Sequence, residues 1–280
     1  MKTLFNKILL LTDFSDVSEN ATTYAMIIAK KTKAEVEIMH IVNTPIDWVK
    51  ISLEKEKLYP ETKAEIIKAK NNIHNLVSTF HKNGITAIQN LVFNVGVENI
   101  PQYIDNATID IVIMGSHGAN GIKEFTLGSN AQKVIRKAKV SVLIVKNKPA
   151  KTEFSSIVFA STFGKNQFEP FQKIRSFSDL LNVELHLLYI NTPYNFKETK
   201  EIEGLLNTFC EDCEKKACKK HSYNALNEER GIKDFMSTAQ IDIFAIATEG
   251  KPTVTQLFSH SLTESIINHL DIPVLSIHKH

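Results

Sequence analysis

Short apolar runs alternate along this chain with longer stretches that have a helical period. In the first half, KILLLTD, AEVEIMHIV, ITAIQNLVF, IDIVIMG and VSVLIVK read as strands, and the continuous apolar ones are typical of parallel strands buried on both faces. The stretches between them have lengths and patterns that favour helices. Alternating strands and helices of this size predict an α/β fold with a doubly wound parallel sheet and right-handed crossovers.

The helical stretches carry their own start and stop signals. In the first, Ala21, Tyr24, Ala25, Ile28 and Ala29 form one apolar stripe. Ser15 is the predicted N-cap, with Asp16 and Glu19 in the first turn, where the helix dipole favours acidic side chains. Gly84 is expected to end the long helix that begins near Glu61.

The second half of the chain repeats the first. With an offset of 132 residues, the segment that begins at Ile109 aligns without a gap with the one that begins at Ile241, and Asp110 meets Asp242. With an offset of 149, ILLLTDF from Ile8 aligns with IVFASTF from Ile157. The second copy is therefore 17 residues shorter between its second and third strands. A repeat of this length indicates two copies of one domain.

We therefore predict two tandem, doubly wound domains with a Rossmann-like fold, each containing a five-stranded parallel sheet. The first is expected at residues 1–146, a linker at 147–154, and the second at 155–280. Two domains also suit a chain of 280 residues.

Composition excludes several classes of partner. With 33 basic and 31 acidic residues, no global charge favours nucleic acid or an anionic membrane. The apolar runs are far shorter than the roughly 20 residues that span a bilayer. Three clustered cysteines do not form a disulfide framework, so we expect a cytoplasmic protein.

The segment MGSHGANGIKEFTLGS, residues 114–129, contains four of the ten glycines of the chain. It leaves the fourth strand and leads into the last helix of the first half. Ligands of doubly wound sheets bind at the carboxyl ends of strands, and a helix N-terminus attracts phosphate. Gly128, directly before the helix, is where a Cβ is expected to intrude most. Asp13, after the first strand, is suited to accept hydrogen bonds from ribose hydroxyls or an adenine amine. Taken singly, these glycines could instead shape a surface loop and Asp13 cap a helix.

The spacing Gly115-x2-Gly118-x9-Gly128-Ser129, together with TDFS after the first strand, resembles the nucleotide-binding branch of the universal stress protein family. The resemblance covers both halves and implies an adenine nucleotide alpha hydrolase-like fold, with ATP or AMP bound in the first half, with or without Mg²⁺. It assigns Thr12 and Asp13 to adenine or ribose and the backbone near Ile41 and Val42 to the base. The implied ribose and phosphate contacts are Met114, Gly115, His117, Gly118, Gly128, Ser129 and Asn130.

Other nucleotide motifs fit less well. The chain has no G-x-x-x-x-G-K-[ST] loop and no G-x-G-x-x-G after a strand. The Ser-Gly-Gly and His-x-Gly-His loops of related adenylating enzymes are also missing.

The second half has lost most of these residues. Thr162 replaces Asp13, Ala247 replaces Gly115 and His260 replaces Gly128, while Gly250 and Ser261 remain. We therefore expect one nucleotide per chain and a second half kept as a packing partner. Family members commonly pair through their last strands, which here would give an intrachain pseudo-dimer. A homodimer of the whole chain is an alternative assembly, and the sequence does not identify the regulatory protein partner.

The stretch CEDCEKKACKKH contains Cys210, Cys213, Cys218 and His221, which are metal-ligand types. If the stretch is helical, Cys210 and His221 lie too far apart for one tetrahedral ion. A helical stripe through Ile202, Leu206, Phe209, Cys213 and Ala217 instead predicts a core cysteine, with metal binding and redox sensing as the alternatives.

Three functions are compatible with these residues. The leading hypothesis is a nucleotide-dependent regulatory or stress-response protein. The second is a slow ATPase or nucleotidyl-transfer enzyme, for which Asp13 and His117 are the available groups in place of a well-positioned general base. The third is a scaffold without nucleotide, in which the halves only pair. Fold alone does not separate them.

Overall fold

The chain alternates strands and helices in two successive halves. The computed structural model describes residues 5–94, 100–106, 108–117, 127–211, 218–249 and 260–279. The elements of the first half are β1 (Lys7–Leu11), α1 (Asp16–Thr32), β2 (Glu35–Asn43), α2 (Leu53–Glu56), α3 (Pro60–Lys82), β3 (Ala87–Asn94), α4 (Ile100–Asn106), β4 (Ile111–Gly115), α5 (Ser129–Lys137) and β5 (Ser141–Val145).

The second half repeats this order without a counterpart of α2. Its elements are β6 (Ser156–Ala160), α6 (Phe168–Leu181), β7 (Glu184–Asn191), α7 (Thr199–Glu211), β8 (Lys219–Asn224), α8 (Glu228–Thr238), β9 (Ile243–Glu249), α9 (His260–His269) and β10 (Val274–Lys279). Single 3-10 turns lie at residues 165–167 and 193–195.

The predicted helix signals are present. The Ser15 hydroxyl accepts a hydrogen bond from the Ser18 N–H at 3.3 Å and caps α1, whose predicted apolar stripe is buried. Gly84 has φ +72° and follows the end of α3, where its N–H donates to the His81 carbonyl at 2.9 Å. Glycine adopts this left-handed conformation without the steric cost of a Cβ.

The ten strands found in the described residues form one sheet, in the order β3-β2-β1-β4-β5-β10-β9-β6-β7-β8. Neighbours within each half are parallel, whereas β5 and β10 pair antiparallel, with Leu143 opposite Leu275. The last strands of the two halves thus pair, as the family resemblance implied. The first half places β1 beside β4, and the second half places β6 beside β9. The direction of the chain crossovers reverses at these two positions, which leaves a crevice at the carboxyl ends of the strands.

The repeat extends to individual hydrogen bonds at the amino ends of the strands. The Asp110 carboxylate accepts from the N–H groups of Asn6 and Lys7 at 2.7 and 2.8 Å. Asp242, its counterpart, accepts from the N–H groups of Ser155 and Ser156 at 2.6 and 3.1 Å. The aligned aspartates are therefore structural, because each fixes the first residues of the neighbouring central strand.

Polar contacts also join the halves beside the β5–β10 pair. The guanidinium of Arg136 on α5 donates from Nε and Nη2 to Glu264 on α9, both at 2.7 Å. Lys146 Nζ donates to the carbonyl of Asn268 at 2.5 Å. The first half therefore supplies a cation at the carboxyl end of α9, where the helix dipole favours one.

The helical interpretation of the cysteine-containing stretch was wrong from Cys218 onward. The helix α7 buries Ile202, Leu206 and Phe209 as predicted, but Cys218 lies directly before β8 and His221 lies within that strand. Cys213 lies outside the described residues. Among the residues that the structure describes, no group of three or more His, Cys, Asp or Glu side chains could hold a metal ion.

None of the described helices is long and apolar enough to cross a bilayer.

Candidate functional site

A cavity of about 560 Å³ opens at the carboxyl ends of β1, β2 and β4. It is the crevice expected where the crossovers of a doubly wound sheet reverse. Nine of the eleven residues predicted for the site line this cavity: Thr12, Asp13, Ile41, Met114, Gly115, His117, Gly128, Ser129 and Asn130. The fold thus brings together residues from four separate parts of the first half.

Two predicted residues are not among those that line the cavity. Val42 is buried in a small cluster with Ile66 and Ala69 of α3, so its side chain is part of the core. Gly118 lies outside the described residues.

The turn after β1 positions Asp13. Its Oδ1 accepts hydrogen bonds from the backbone N–H of Ser15 at 3.1 Å and from the Ser15 hydroxyl at 2.6 Å. The next residue, Phe14, has φ +61°, and its N–H donates to the Thr12 hydroxyl at 3.0 Å. Asp13 therefore holds the capping residue of α1 and also lines the cavity. The alternative role of Asp13, as part of a helix cap, is therefore present together with its position in the wall of the cavity.

The second half keeps the same turn without the carboxylate. Phe163 has φ +53°, and its N–H donates to the Ser161 hydroxyl at 3.1 Å. Ser161 and Phe163 correspond to Thr12 and Phe14 of the first half. The left-handed phenylalanine is therefore a feature of the repeated fold, whereas Asp13 is specific to the first half.

His40 lines the cavity from β2, and it was not predicted from the sequence. Its Nδ1 lies 2.7 Å from the carbonyl oxygen of Thr12, and its ring contacts Phe14 at a centroid distance of 4.5 Å. A carbonyl only accepts, so Nδ1 must carry a proton. This bond ties β2 to the turn that holds Asp13. The sequence signal was present, since His40 directly precedes Ile41 at the end of a strand.

Glu65 of α3 also lines the cavity and was missed. It lies far from the site motifs in sequence, and only the packing of α3 beside β2 and β3 brings it near. With Asp13, it gives the β1–β2 side of the cavity two acidic groups. These groups are suited to accept hydrogen bonds from the hydroxyl and amino groups of a ligand.

The opposite side of the cavity is formed by β4 and the start of α5. Gly128 is the N-cap of α5 and has no side chain that could accept from the first turn, unlike Ser15 at α1 and Asn227 at α8. The first-turn N–H groups of a helix have no intrahelical acceptor, and the helix dipole makes this end positive. This side therefore suits an anion.

The steric reason for Gly128 differs from the one predicted. A Cβ on Gly128 would lie 3.1 Å from the Cα of His117 and 3.4 Å from the carbonyl oxygen of Ser116. The side chain would thus meet the loop after β4 and not enter the ligand space directly. Gly115 plays a similar part, because a Cβ there would lie 3.0 Å from Val17 of α1. Both glycines permit close packing of backbone around the cavity.

His117 has a local partner. Its Nδ1 lies 3.0 Å from the hydroxyl of Ser116, a residue that is 2% exposed. Within the described part of the chain, no carboxylate is recorded beside this imidazole. The described residues therefore supply no acid that would orient His117 as a general base.

A larger cavity in the second half is lined by other elements. It measures about 750 Å³, and residues of β7, β8 and α8 such as Asn191, Asn224 and Arg230 line it. Ser161, Thr162 and Ala247, which correspond to site residues of the first half, are not among its lining residues. Gly250 lies outside the described residues, and α9 begins at His260.

A sequence profile of the universal stress protein family matches residues 4–146. This match spans half of the chain. The chain belongs to the universal stress protein family.

Two archaeal relatives of this universal stress protein, both from Methanocaldococcus jannaschii, match about half of the chain. Universal stress protein MJ0577 is 28% identical over 160 residues, which cover 53% of this chain and 99% of the relative. Universal stress protein MJ0531 is 30% identical over 149 residues, which cover 53% of this chain and 85% of the relative. One half of this universal stress protein thus corresponds to nearly the whole of such relatives.

The full two-half arrangement also occurs in a solved structure. A universal stress protein from Archaeoglobus fulgidus superimposes with a TM-score of 0.77, and the match covers 99% of both chains at 21% identity. At this identity the likeness establishes the fold of the universal stress protein described here, with its mostly parallel sheet and two similar halves.

Proposed function

We propose that the first half binds one adenine nucleotide, ATP or AMP, in the cavity at the ends of β1, β2 and β4, and that the protein acts as a nucleotide-dependent regulator. One observation carries this proposal. The cavity has acidic acceptors at Asp13 and Glu65 on one side and the uncapped N-terminus of α5 on the other. A nucleoside phosphate has hydroxyl and amino donors at one end and anionic oxygens at the other.

The residues divide between these two ends. Asp13 accepts from ribose hydroxyls or the adenine amine, and the backbone near Ile41 contacts the base. The backbone around Gly115 and His117, with Gly128, Ser129 and Asn130 at the start of α5, receives the phosphates. Charge-assisted hydrogen bonds from backbone N–H groups to phosphate oxygens supply much of the affinity. The cavity volume of about 560 Å³ suits a ligand of this size.

The second half is proposed to serve as a packing partner without nucleotide. Thr162 has no charge in place of Asp13, and Ala247 adds a Cβ where Gly115 packs against α1. The β5–β10 pair and the contacts from Arg136 and Lys146 give this half a structural role. We propose domain limits at 1–146 and 155–280, since residues 147–154 lie between β5 and β6.

A binding role is preferred over an ATPase because the described residues of the site include no well-oriented base. His117 contacts Ser116, and Asp13 is engaged by Ser15. A bound nucleotide would bridge the turn after β1 and the start of α5. A protein partner in the cytoplasm can therefore distinguish the nucleotide-bound protein from the nucleotide-free one. The proposed output is a change in partner binding between the nucleotide-bound and nucleotide-free protein.

Titration calorimetry tests this proposal. ATP and AMP, each with and without Mg²⁺, should saturate near one ligand per chain, and mass spectrometry should detect adenine nucleotide that co-purifies with the protein. GTP serves as the control for the base. Two equivalent sites would contradict the assignment of the second half, and the absence of binding would favour a scaffold without ligand.

A further inference from the structure

Equivalent positions of the two halves hold partly buried polar clusters of different chemistry. In the first half the cluster consists of Glu37 on β2, Asn90 on β3 and Tyr103 on α4. The offset of 149 residues matches Glu37 with His186, and the offset of 132 residues matches Tyr103 with Phe235. In the sheet, Asn90 lies opposite Met39 of β2, and His221 of β8 lies opposite Leu188 of β7. Leu188 corresponds to Met39, so His221 corresponds to Asn90. His186, His221 and Phe235 therefore occupy the corresponding positions.

The two imidazoles of the second half are in direct contact. His221 Nε2 lies 3.0 Å from His186 Nδ1, and the rings are stacked with centroids 5.1 Å apart. His186 Nε2 lies 3.1 Å from Glu184 Oε2. Phe235 of α8 covers His221, edge to face, at a centroid distance of 5.1 Å. The cluster therefore links β7, β8 and α8.

The partners determine where the protons are. A carboxylate only accepts, so Nε2 of His186 donates to Glu184. In neutral His186 the other nitrogen, Nδ1, then accepts, and His221 donates to it from Nε2. One further proton can be accommodated, for example on Nδ1 of His221, without loss of this bond. A second proton added to the neutral pair places an N–H on both facing nitrogens. This removes the hydrogen bond and sets two positive charges side by side.

The charged groups around the histidine pair do not favour the uptake of two additional protons. Among the described residues, Glu184 on β7 is the one anion that acts on the pKa of either histidine, and it also pairs with Lys219 of β8 at 2.8 Å. Toward α8 the pair meets the ring of Phe235, and on β6 the residue beside His186 is Val158. One carboxylate therefore faces a fixed ammonium group and up to two imidazolium groups.

Burial lowers the pKa of both histidines. Lys219 lowers both further, His186 lowers the pKa of His221, and Glu184 only partly opposes these effects. Histidines in an unfolded chain have a pKa near 6.5. The folded pair therefore binds protons less readily than the open pair, so its contribution to stability is complete above about pH 6.5 and is lost as the pH falls through the lowered values.

The cluster of the first half responds differently. Burial would raise the pKa of the Glu37 carboxyl, but hydrogen bonds from Lys7, Tyr103 and Asn90 outweigh it and lower the pKa. Burial and the bond to Glu37 raise the pKa of Tyr103 to about 12. This cluster keeps its protonation through the range in which imidazoles titrate.

We propose that His186 and His221 form a proton-sensitive clasp, which holds the edge strand β8 and helix α8 against β7 and releases them when the pair takes up a second proton. Among the described strands, β8 is the last of the sheet, and β7 is its one neighbour. Its release leaves the central strands paired. The second half thereby responds to acidification through a site separate from the nucleotide cavity.

Hydrogen exchange of the full chain as a function of pH tests the clasp, after correction for intrinsic exchange rates. Protection of peptides that span residues 219–224 should fall on acidification below about pH 6.5, by about tenfold per pH unit for each proton taken up on opening. Peptides that span the matched strand, residues 87–94, provide the internal control and should change little over the same range. Equal pH dependence of the two strands would overturn the proposal.

Two variants assign the effect to the pair. The triple variant His186→Glu, His221→Asn and Phe235→Tyr removes both imidazoles and installs the first-half residues other than Lys7, whose counterpart is Ser156, and should abolish the loss of β8 protection on acidification. His221→Gln keeps a donor toward His186 Nδ1 and should at least halve the slope. If the triple variant does not fold, NMR titration of the His186 ring decides. A titration of His186 that is unchanged by His221→Gln would overturn the proposal.

Discussion

The Asp13 carboxylate accepts both the backbone N–H and the hydroxyl hydrogen of Ser15, through one oxygen, at 3.1 and 2.6 Å. Ser15 in turn caps α1 by accepting from Ser18. One side chain therefore shapes the turn after β1 and lines the cavity. Its contributions to folding and to ligand binding can be separated, because the cap can be removed without removing the carboxylate.

Replacement of Asp13 by Thr, the residue at the matching position 162, is expected to weaken adenosine and ATP alike. The variant loses an ionised acceptor for ligand hydroxyl or amino groups, and a hydrogen bond to a charged group contributes about 1.5–3 kcal/mol, or roughly ten- to a hundredfold in Kd. Calorimetry with both ligands measures the loss. Ser15→Ala is the matched control and should cost about 1 kcal/mol of folding stability with little change in affinity. Normal adenosine binding by Asp13→Thr would contradict the assignment.

Gly128→Ala is expected to harm ATP much more than adenosine. The added Cβ would lie 3.1 Å from the Cα of His117, so the loop after β4 must move away from the start of α5. We expect ATP affinity to fall about tenfold, as phosphate contacts are charge-assisted, and adenosine affinity to change less than about twofold.

Gly204→Ala in α7 is the control, because it adds a Cβ at a glycine with free space around it. A Cβ there meets nothing within 4 Å, so the variant should gain about 0.5–1 kcal/mol of stability with unchanged binding. If Gly128→Ala binds ATP normally while remaining folded, the phosphates do not depend on the close approach of these two segments.

Much of the fold could be predicted because buried parallel strands and capped helices have strong local signals. The strands β1, β4 and β5 are continuous apolar runs, and Ser15 and Gly84 mark helix ends. β8 was not recognised, because an edge strand with the sequence KKHSYN has exposed positions and no apolar run. The short helix α2 was also missed, since none of its residues is buried.

The residues that line the candidate site could be predicted where they follow strands directly. Asp13 and Gly115 stand at strand ends, and Gly128 opens a helix, so sequence position alone suggested that they meet. Glu65 could not be found this way, because its place depends on how a long helix packs beside β2 and β3. The steric role of Gly128 also depends on tertiary contact, as the atoms that exclude a Cβ belong to Ser116 and His117.

The buried Glu37 is expected to stabilise the first half in a manner that depends on pH. It accepts from Lys7 and Asn90, each at 2.7 Å, and from the hydroxyl of Tyr103. Its pKa is lowered relative to an unfolded glutamate near 4.3, so its contribution is complete above about pH 4.3 and is lost as the pH falls through the folded value. Glu37→Gln should cost about 1–3 kcal/mol near pH 7 and less near pH 3.

Urea unfolding at several pH values measures this difference. Glu203→Gln, at an exposed position of α7, is the matched control and should change stability by less than about 0.5 kcal/mol at each pH. A Glu37→Gln variant whose deficit is constant with pH would show that the carboxylate charge is not what stabilises the cluster.

The last prediction concerns residues 1–149 expressed without the second half. This fragment exposes the edge of β5 that β10 covers in the full chain, and a relative of similar length is matched over 99% of its own sequence. An uncovered edge strand favours pairing, so we expect the fragment to form a two-fold dimer through β5 and to bind one nucleotide per subunit. In that dimer Arg136 meets Gln132 of the second copy, because Gln132 corresponds to Glu264. Gln132→Glu should therefore restore the ion pair and tighten the dimer severalfold, at roughly 0.2–1 kcal/mol for each of two pairs. Light scattering over a dilution series measures both dissociation constants. A folded fragment that stays monomeric, or a dimer indifferent to Gln132→Glu, would show that the β5–β10 contact depends on features found only in the second half.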